Sequence, residues 1–127
     1  MGSTNDAPAM DGPTAKEKKY DRQLRLWGAS GQEDLENSHI LLLNSGPGVV
    51  GVETLKNLIL PGIGQYTIVD IDDPPVTWED LGVNFFLDES CLGKPRAQMS
   101  CDFLQKHNPA VKGHWMTVLP QDLLFVR

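Results

Sequence analysis

Three glycines in residues 40–51 are the residues whose types and spacing most directly suggest chemistry. The stretch reads ILLLNSGPGVVG, an apolar run that breaks into Gly46, Gly48 and Gly51. A strand, a Gly-x-Gly-x-x-Gly loop and a helix form the dinucleotide-binding fingerprint. Its glycines permit a tight turn, a close approach of backbone N–H groups to phosphate, and close packing of helix on strand. The loop therefore predicts a nucleotide site at these glycines, and a tight turn without a ligand is the alternative.

An acidic residue lies where a ribose-binding carboxylate is expected. Asp70 comes about 20 residues beyond the glycine loop and ends the segment QYTIVD. The alternative is a solvated acid at the end of a strand. Asp72 and Asp73 follow, and three clustered negative charges would repel a phosphate unless cations intervene.

A group of basic residues is unexpected in a chain with a net charge of −6. Lys18, Arg22 and Arg25 fall on one side of a possible amphipathic helix over residues 16–27. A guanidinium group matches phosphate oxygens and can stabilise charge in phosphoryl or nucleotidyl transfer. The spacing alone is equally consistent with a solvated helix face.

Helices and strands that alternate along the chain must position these residues. Residues 1–15 are predicted to be a disordered tail. The remaining segments are a helix over 16–27 ended by Gly28, a helical stretch at 32–37, a strand at 39–44, a helix at 52–60, a strand at 65–70, a loop at 71–79, an apolar plug at 85–87, a helix at 94–107 and a strand at 112–119.

This alternation predicts an α/β fold with a parallel sheet, an incomplete doubly wound Rossmann-like sheet of about three strands with flanking helices. The first strand is apolar on both faces, as central parallel strands are. In a doubly wound sheet this strand has a neighbour on each side, and only three strands are predicted here. We therefore expect a bare edge, and either a larger domain or a partner that completes the sheet.

Length, charge and composition exclude several classes of function. A chain of 127 residues is at most one domain, and its acidic balance argues against a general nucleic-acid binder. No apolar stretch has the ~20 residues of a membrane span, and no signal peptide is recognisable. Cys91 and Cys101 lack metal-like spacing, and the three histidines are scattered, so no metal site is expected. Unpaired cysteines suggest a reducing compartment, cytoplasmic and/or nuclear.

Taken together, the motifs resemble the ubiquitin-activating enzyme superfamily, which includes bacterial sulfur-carrier adenylating enzymes of the ThiF type. The resemblance covers residues 17–118 and rests on YDRQLRLWG at 20–28, GQ at 31–32, the glycine loop and KNL at 56–58. LPGIG at 60–64 and NFFL at 84–87 most resemble the non-catalytic subunits of heterodimeric enzymes that activate the neddylation modifier. Regulatory subunits of SUMO-activating enzymes share the arginine motif but usually lack the Asn-Phe-Phe stretch.

The resemblance implies that residues 16–127 are the N-terminal part of a ThiF-type adenylation domain that does not catalyse adenylation by itself. In active members an Asn-x-x-Arg-Gln segment holds ATP, and its arginine and glutamine fall on Asn84 and Phe85. The phosphate-binding lysine falls on Arg96, and the magnesium-binding aspartate lies beyond Arg127. We therefore expect no cofactor bound in cis, and ATP and Mg²⁺ in the site of a catalytic partner subunit that activates a ubiquitin-like modifier.

The resemblance also implies a role for Arg22, because the arginine of Tyr-Asp-Arg in inactive subunits reaches into the ATP site of the partner. Arg22 would then act catalytically in trans, whereas Gly46, Gly48, Gly51 and Asp70 would be vestigial. Three alternatives remain: a SUMO-activating regulatory subunit, a self-sufficient sulfur-carrier-type adenylating enzyme, and a nicotinamide-dependent oxidoreductase. The last rests on the glycine fingerprint alone.

Overall fold

The computed structural model describes residues 12–44 and 48–123, and helices alternate with strands along them. Most of the predicted tail at 1–15 lies outside the described residues. The α/β class is confirmed. In chain order the elements are α1 (Ala15–Lys19), α2 (Asp21–Glu36), β1 (His39–Asn44), α3 (Val50–Ile59), β2 (Gln65–Ile71), α4 (Trp78–Val83), a 3-10 turn (Glu89–Cys91), α5 (Arg96–Gln105), β3 (Lys112–Val118) and α6 (Pro120–Leu123).

The predicted single N-terminal helix is instead two helices. Tyr20 separates α1 from α2 with a φ of −107° and a ψ of 20°. A capping box begins α1, because Thr14 accepts from the N–H of Glu17 and the Glu17 carboxylate accepts from the N–H of Thr14. Gly28 interrupts α2 with a φ of 73°, in the left-handed region that favours glycine. The predicted break at Gly28 is therefore confirmed.

As predicted, the three strands form one parallel sheet, and their order is β1-β2-β3. Tyr66 and Ile68 are fully buried on the face that α3 and α5 cover. On the other face Leu41, Leu43 and Met116 are 59%, 60% and 50% exposed, so the expected burial of β1 on both faces is not seen. Among the described residues β1 has β2 as its one neighbour, which confirms the expected bare edge.

The core lies between the sheet and the two helices on its covered face. The inward residues recur at helical spacing on both helices. Each fully buried large apolar side chain contributes about 1.5–3 kcal/mol relative to exposure. The inward residues are Val52, Leu55 and Ile59 of α3 and Ala97, Cys101 and Leu104 of α5.

The segment after β2 contains more structure than the sequence indicated. The prediction that the loop continues to residue 79 is wrong, because α4 begins at Trp78. A capping box between Thr77 and Asp80 starts this helix. The apolar plug is also wrong in part. Phe86 is buried in the core, whereas Phe85 is 91% exposed.

Candidate nucleotide site

The glycine loop connects β1 to α3 and is described only in part. Gly46 lies outside the described residues, and Gly48 is exposed, with none of the described atoms within 4 Å of the position that a Cβ would take. A Cβ at Gly51 would lie 2.6 Å from Cδ1 of Leu42, so the Leu42 side chain occupies the space that this glycine leaves between α3 and β1. Val49, the N-cap residue of α3, makes no side-chain hydrogen bond to the first turn. The packing role of Gly51 fits this geometry, and nucleotide binding by the three glycines stays a prediction.

Asp70, the predicted ribose-binding residue, belongs to a buried ion cluster near the carboxyl end of β2. Its Oδ1 accepts a hydrogen bond from Nη2 of Arg96 at 2.8 Å, and its Oδ2 accepts from Nε at 3.3 Å. Nη1 of Arg96 donates to Oδ1 of Asp80 at 3.3 Å. Asp70 is 0% exposed, Asp80 2% and Arg96 4%. We call these three residues the ion cluster, and its charged groups are paired with one another away from solvent.

The ion cluster joins three elements of the fold. Arg96 is the first residue of α5, Asp70 lies on β2, and Asp80 also caps α4. Oδ2 of Asp80 accepts from the N–H and the hydroxyl of Thr77, at 2.9 and 3.0 Å. Burial, the largest influence, lowers the pKa of Arg96, but hydrogen bonds and charge attraction from Asp70 and then Asp80 outweigh it and raise the pKa above its ordinary value. The guanidinium therefore stays charged inside the protein.

Pairing within the ion cluster restricts what Asp70 and Arg96 can do for a ligand. Both oxygens of Asp70 and all three nitrogens of Arg96 are directed at groups of the cluster. Redirecting either residue would leave a buried charge unpaired, which costs about 3–5 kcal/mol. The geometry therefore favours a structural role for both residues, and ribose binding by Asp70 stays a prediction.

Asn84 and Phe85, the positions that the resemblance aligns with an ATP-contacting arginine and glutamine, carry no charge. Asn84 is 3% exposed, and its Oδ1 accepts from the N–H of Phe86 at 3.0 Å. Its amide oxygen therefore shapes the turn that brings Phe86 into the core. Phe85 projects into solvent and offers no hydrogen-bond donor to a phosphate.

The basic residues of the N-terminal helices differ in their partners. Arg25 forms an exposed ion pair with Asp21, with Nη2 and Oδ2 3.2 Å apart. Arg22 and Lys18 are exposed, and neither forms an ion pair with any of the described residues. Arg22 is thus the arginine of its helix whose guanidinium is not committed to a described carboxylate.

The cysteines and histidines form no site of their own in the part of the chain that the structure describes. Cys91 and Cys101 are buried free thiols, and burial, as the largest cause, raises the pKa of Cys101. Within residues 12–44 and 48–123, no three His, Cys, Asp or Glu side chains form a group that could hold a metal ion. No helix described here is long and apolar enough to span a membrane.

Three parallel strands with helices packed on one face of the sheet define a Rossmann-like α/β domain. The chain belongs to the ThiF family, whose model matches residues 20–123. It is 53% identical over 114 residues to a NEDD8-activating enzyme E1 regulatory subunit of Danio rerio, a match that covers 90% of this chain and 21% of the relative. The corresponding Drosophila melanogaster subunit is 47% identical over 113 residues, with 89% and 21% covered.

SUMO-type relatives are more distant. The SUMO-activating enzyme subunit 1B-1 of Arabidopsis thaliana is 41% identical over 108 residues, covering 80% of this chain and 32% of the relative. The predicted resemblance to neddylation-activating regulatory subunits is therefore confirmed, since the SUMO-type relative is less similar to this chain. The chain spans about a fifth of the length of the NEDD8-type relatives that it matches.

Solved structures agree with the fold. E. coli tRNA N6-threonylcarbamoyladenosine dehydratase, in complex with ATP, superposes with a TM-score of 0.69 at 20% identity, covering 91% of this chain and 48% of that chain. E. coli MccB gives a TM-score of 0.68 at 22% identity, covering 91% and 34%. At this level of identity the likeness supports the Rossmann-like architecture.

Sequence reasoning missed Asp80 and the pairing of Asp70 with Arg96. A local signal existed for Asp80, because Thr77 three residues earlier makes a capping box that also predicts α4. No local signal exists for the pairing, since 26 residues separate Asp70 from Arg96.

Proposed function

We propose that this chain serves as a regulatory, non-catalytic component of the heterodimeric enzyme that activates a NEDD8-type modifier by ATP-dependent adenylation. Similarity to regulatory subunits from fish and insect supports the assignment. The ion cluster is the observation that supports a non-catalytic role. The resemblance aligns Arg96 with a phosphate-binding lysine, but its guanidinium is paired with the two buried carboxylates of Asp70 and Asp80.

The partner in this proposal is the catalytic subunit, which binds ATP and Mg²⁺ and adenylates the modifier. The present chain binds no cofactor in cis. Its contribution to the reaction is Arg22, whose guanidinium has five N–H donors and a permanent positive charge. Directed at phosphates in the site of the partner, it would stabilise the charge that develops on them during adenylation.

Arg22 suits this role better than Arg25, three residues further along α2. Arg25 is held by Asp21, so moving it to a phosphate would first break an ion pair. Arg22 has no such pair among the described residues. The two arginines therefore provide a test residue and a matched control on the same helix.

Pyrophosphate exchange measured on the complex of this chain with the catalytic subunit tests the proposal. Arg22→Ala should slow adenylate formation by about tenfold or more, because removing one transition-state donor typically costs ~10²–10³ in rate. Arg25→Ala should leave the rate within about twofold, since it removes an exposed pair. Equal rates for the two variants would refute action of Arg22 in trans.

Faster exchange with a SUMO-type than with a NEDD8-type modifier would favour the alternative regulatory subunit.

We also propose a cytoplasmic and/or nuclear location, no nucleic-acid partner and no membrane partner. The acidic balance of the chain supports the absence of a nucleic-acid partner, and its free cysteines support a reducing compartment. Microscopy of the full chain with a small tag tests the location.

A further inference from the structure

A cavity of about 540 Å³ lies at the amino ends of β2 and β3. Gln65 and Lys112, the first residues of these strands, line it together with residues of α1. Ligands of doubly wound folds bind at the carboxyl ends of the strands, where the glycine loop follows β1. The cavity is therefore separate from the candidate nucleotide site, and its volume falls in the range of small-molecule sites.

Positive charge is concentrated around this cavity although the chain as a whole is acidic. Lys16, Lys19 and Lys112 line it, and Glu36 is its one acidic lining residue. Lys16 donates to Glu36 at 2.6 Å, which raises the pKa of Lys16, and Lys19 donates to Oδ1 of Asn108 at 2.6 Å. Lys112 is exposed and forms no ion pair with the described residues. Three ammonium groups therefore face one carboxylate.

A hydroxyl group adds a further donor beside the lysines. Tyr20 lines the cavity, and its oxygen accepts a hydrogen bond from Nδ2 of Asn108 at 2.9 Å. Because Asn108 supplies that hydrogen, the phenolic O–H must donate elsewhere, and none of the described residues accepts from it. Tyr20 is 6% exposed, and Asn108, which does not line the cavity, is 1% exposed. The wall residue Tyr20 is therefore held by a buried partner.

The remaining wall is apolar. Ile63 and Val111 are buried core residues that also line the cavity, and Ala15 and Ala110 are further apolar lining residues. A lining that combines a few polar donors with apolar side chains can orient a small amphipathic ligand. We propose that the cavity binds a carboxylate carried on an apolar group, with the carboxylate at Lys112 and the Tyr20 hydroxyl and the apolar group against Ile63 and Val111.

An NMR titration of the full 127-residue chain with hexanoate tests the proposal, with hexanamide as an uncharged probe of the same shape and inorganic phosphate as a probe without an apolar group. Saturable amide shifts of Gly62, Gly64 and Val111 are expected with hexanoate. Hexanamide and phosphate should bind more weakly, because each lacks one half of the recognition. Raising the salt concentration should weaken hexanoate binding, since exposed charges are screened.

Two matched variants assign the binding to the cavity. Lys112→Gln should weaken hexanoate binding about 2- to 5-fold, the effect of one partly exposed charge pair. Lys94→Gln, which removes an exposed lysine outside the cavity, should leave the affinity unchanged. The proposal would be overturned if hexanoate caused no saturable shifts, or if hexanamide bound as tightly as hexanoate. It would also be overturned if phosphate bound more tightly than hexanoate, or if the two variants lost the same affinity for hexanoate.

Discussion

Replacement of Arg96 by methionine should destabilise the fold by about 3–5 kcal/mol, the typical cost of removing one partner from a buried ion pair. The variant keeps a long, unbranched side chain but removes the only positive charge of the ion cluster. Asp80 retains two hydrogen bonds from Thr77. Asp70, which is 0% exposed, loses both of its side-chain hydrogen bonds, because Arg96 donates both. Most of the loss should therefore arise at Asp70.

Thermal and urea unfolding measure this loss. For a domain of this size, about 3–5 kcal/mol corresponds to a decrease of roughly 10–20 °C in the melting temperature. Arg25→Met is the control, because it breaks an exposed i,i+4 pair with Asp21 and should cost only about 0.3–0.5 kcal/mol. Arg96→Lys keeps the charge without the guanidinium geometry and should lie between the two variants. It also provides a measurement if Arg96→Met does not fold.

A double variant separates the unpaired charge from lost packing. Asp70→Asn combined with Arg96→Met replaces the unpaired carboxylate by a neutral amide and should recover a substantial part of the stability. The structural role of the ion cluster would be refuted if Arg96→Met destabilised the protein no more than Arg25→Met does.

Three further results are expected. Gly64→Ala should cost about 1–3 kcal/mol in urea unfolding, because its Cβ would collide with the backbone carbonyl oxygen of Glu36, and a neutral effect would mean that the chain moves there. Phe86→Ala should cost about 3–5 kcal/mol and Phe85→Ala less than about 0.5 kcal/mol, and similar losses would contradict their different burial. Burial raises the pKa of Cys101, so alkylation of Cys101 at pH 8 should be slow in the native protein and fast in urea, and equal rates would contradict it.

The regular elements were predictable because their signals are local. Apolar runs predicted the three strands to within one residue at the ends of β2 and β3. The predicted and observed elements differ where a single backbone feature decides. Tyr20 divides a helix that the apolar periodicity would continue. The Pro74-Pro75 pair indicates a loop, yet α4 begins three residues after it.

The candidate site was less predictable because it depends on contacts between distant residues. The position of Asp70 fits a ribose-binding acid as well as a buried ion-pair partner, and the sequence alone cannot show which group it meets. Arg96 resolves this in the structure, since the start of α5 places it beside the end of β2. Phe85 and Phe86 are likewise equivalent in the sequence, and the turn at Asn84 directs one outward and the other inward.

Calorimetric titration with Mg-ATP tests the central claim most directly, namely that ATP binds to the catalytic partner subunit and not to this chain. The isolated chain should show no binding tighter than a dissociation constant of about 1 mM, whereas its complex with the catalytic subunit should bind one ATP per heterodimer. One-to-one binding of ATP by the isolated chain, or two ATP molecules per heterodimer, would contradict the proposal that only the catalytic subunit binds ATP.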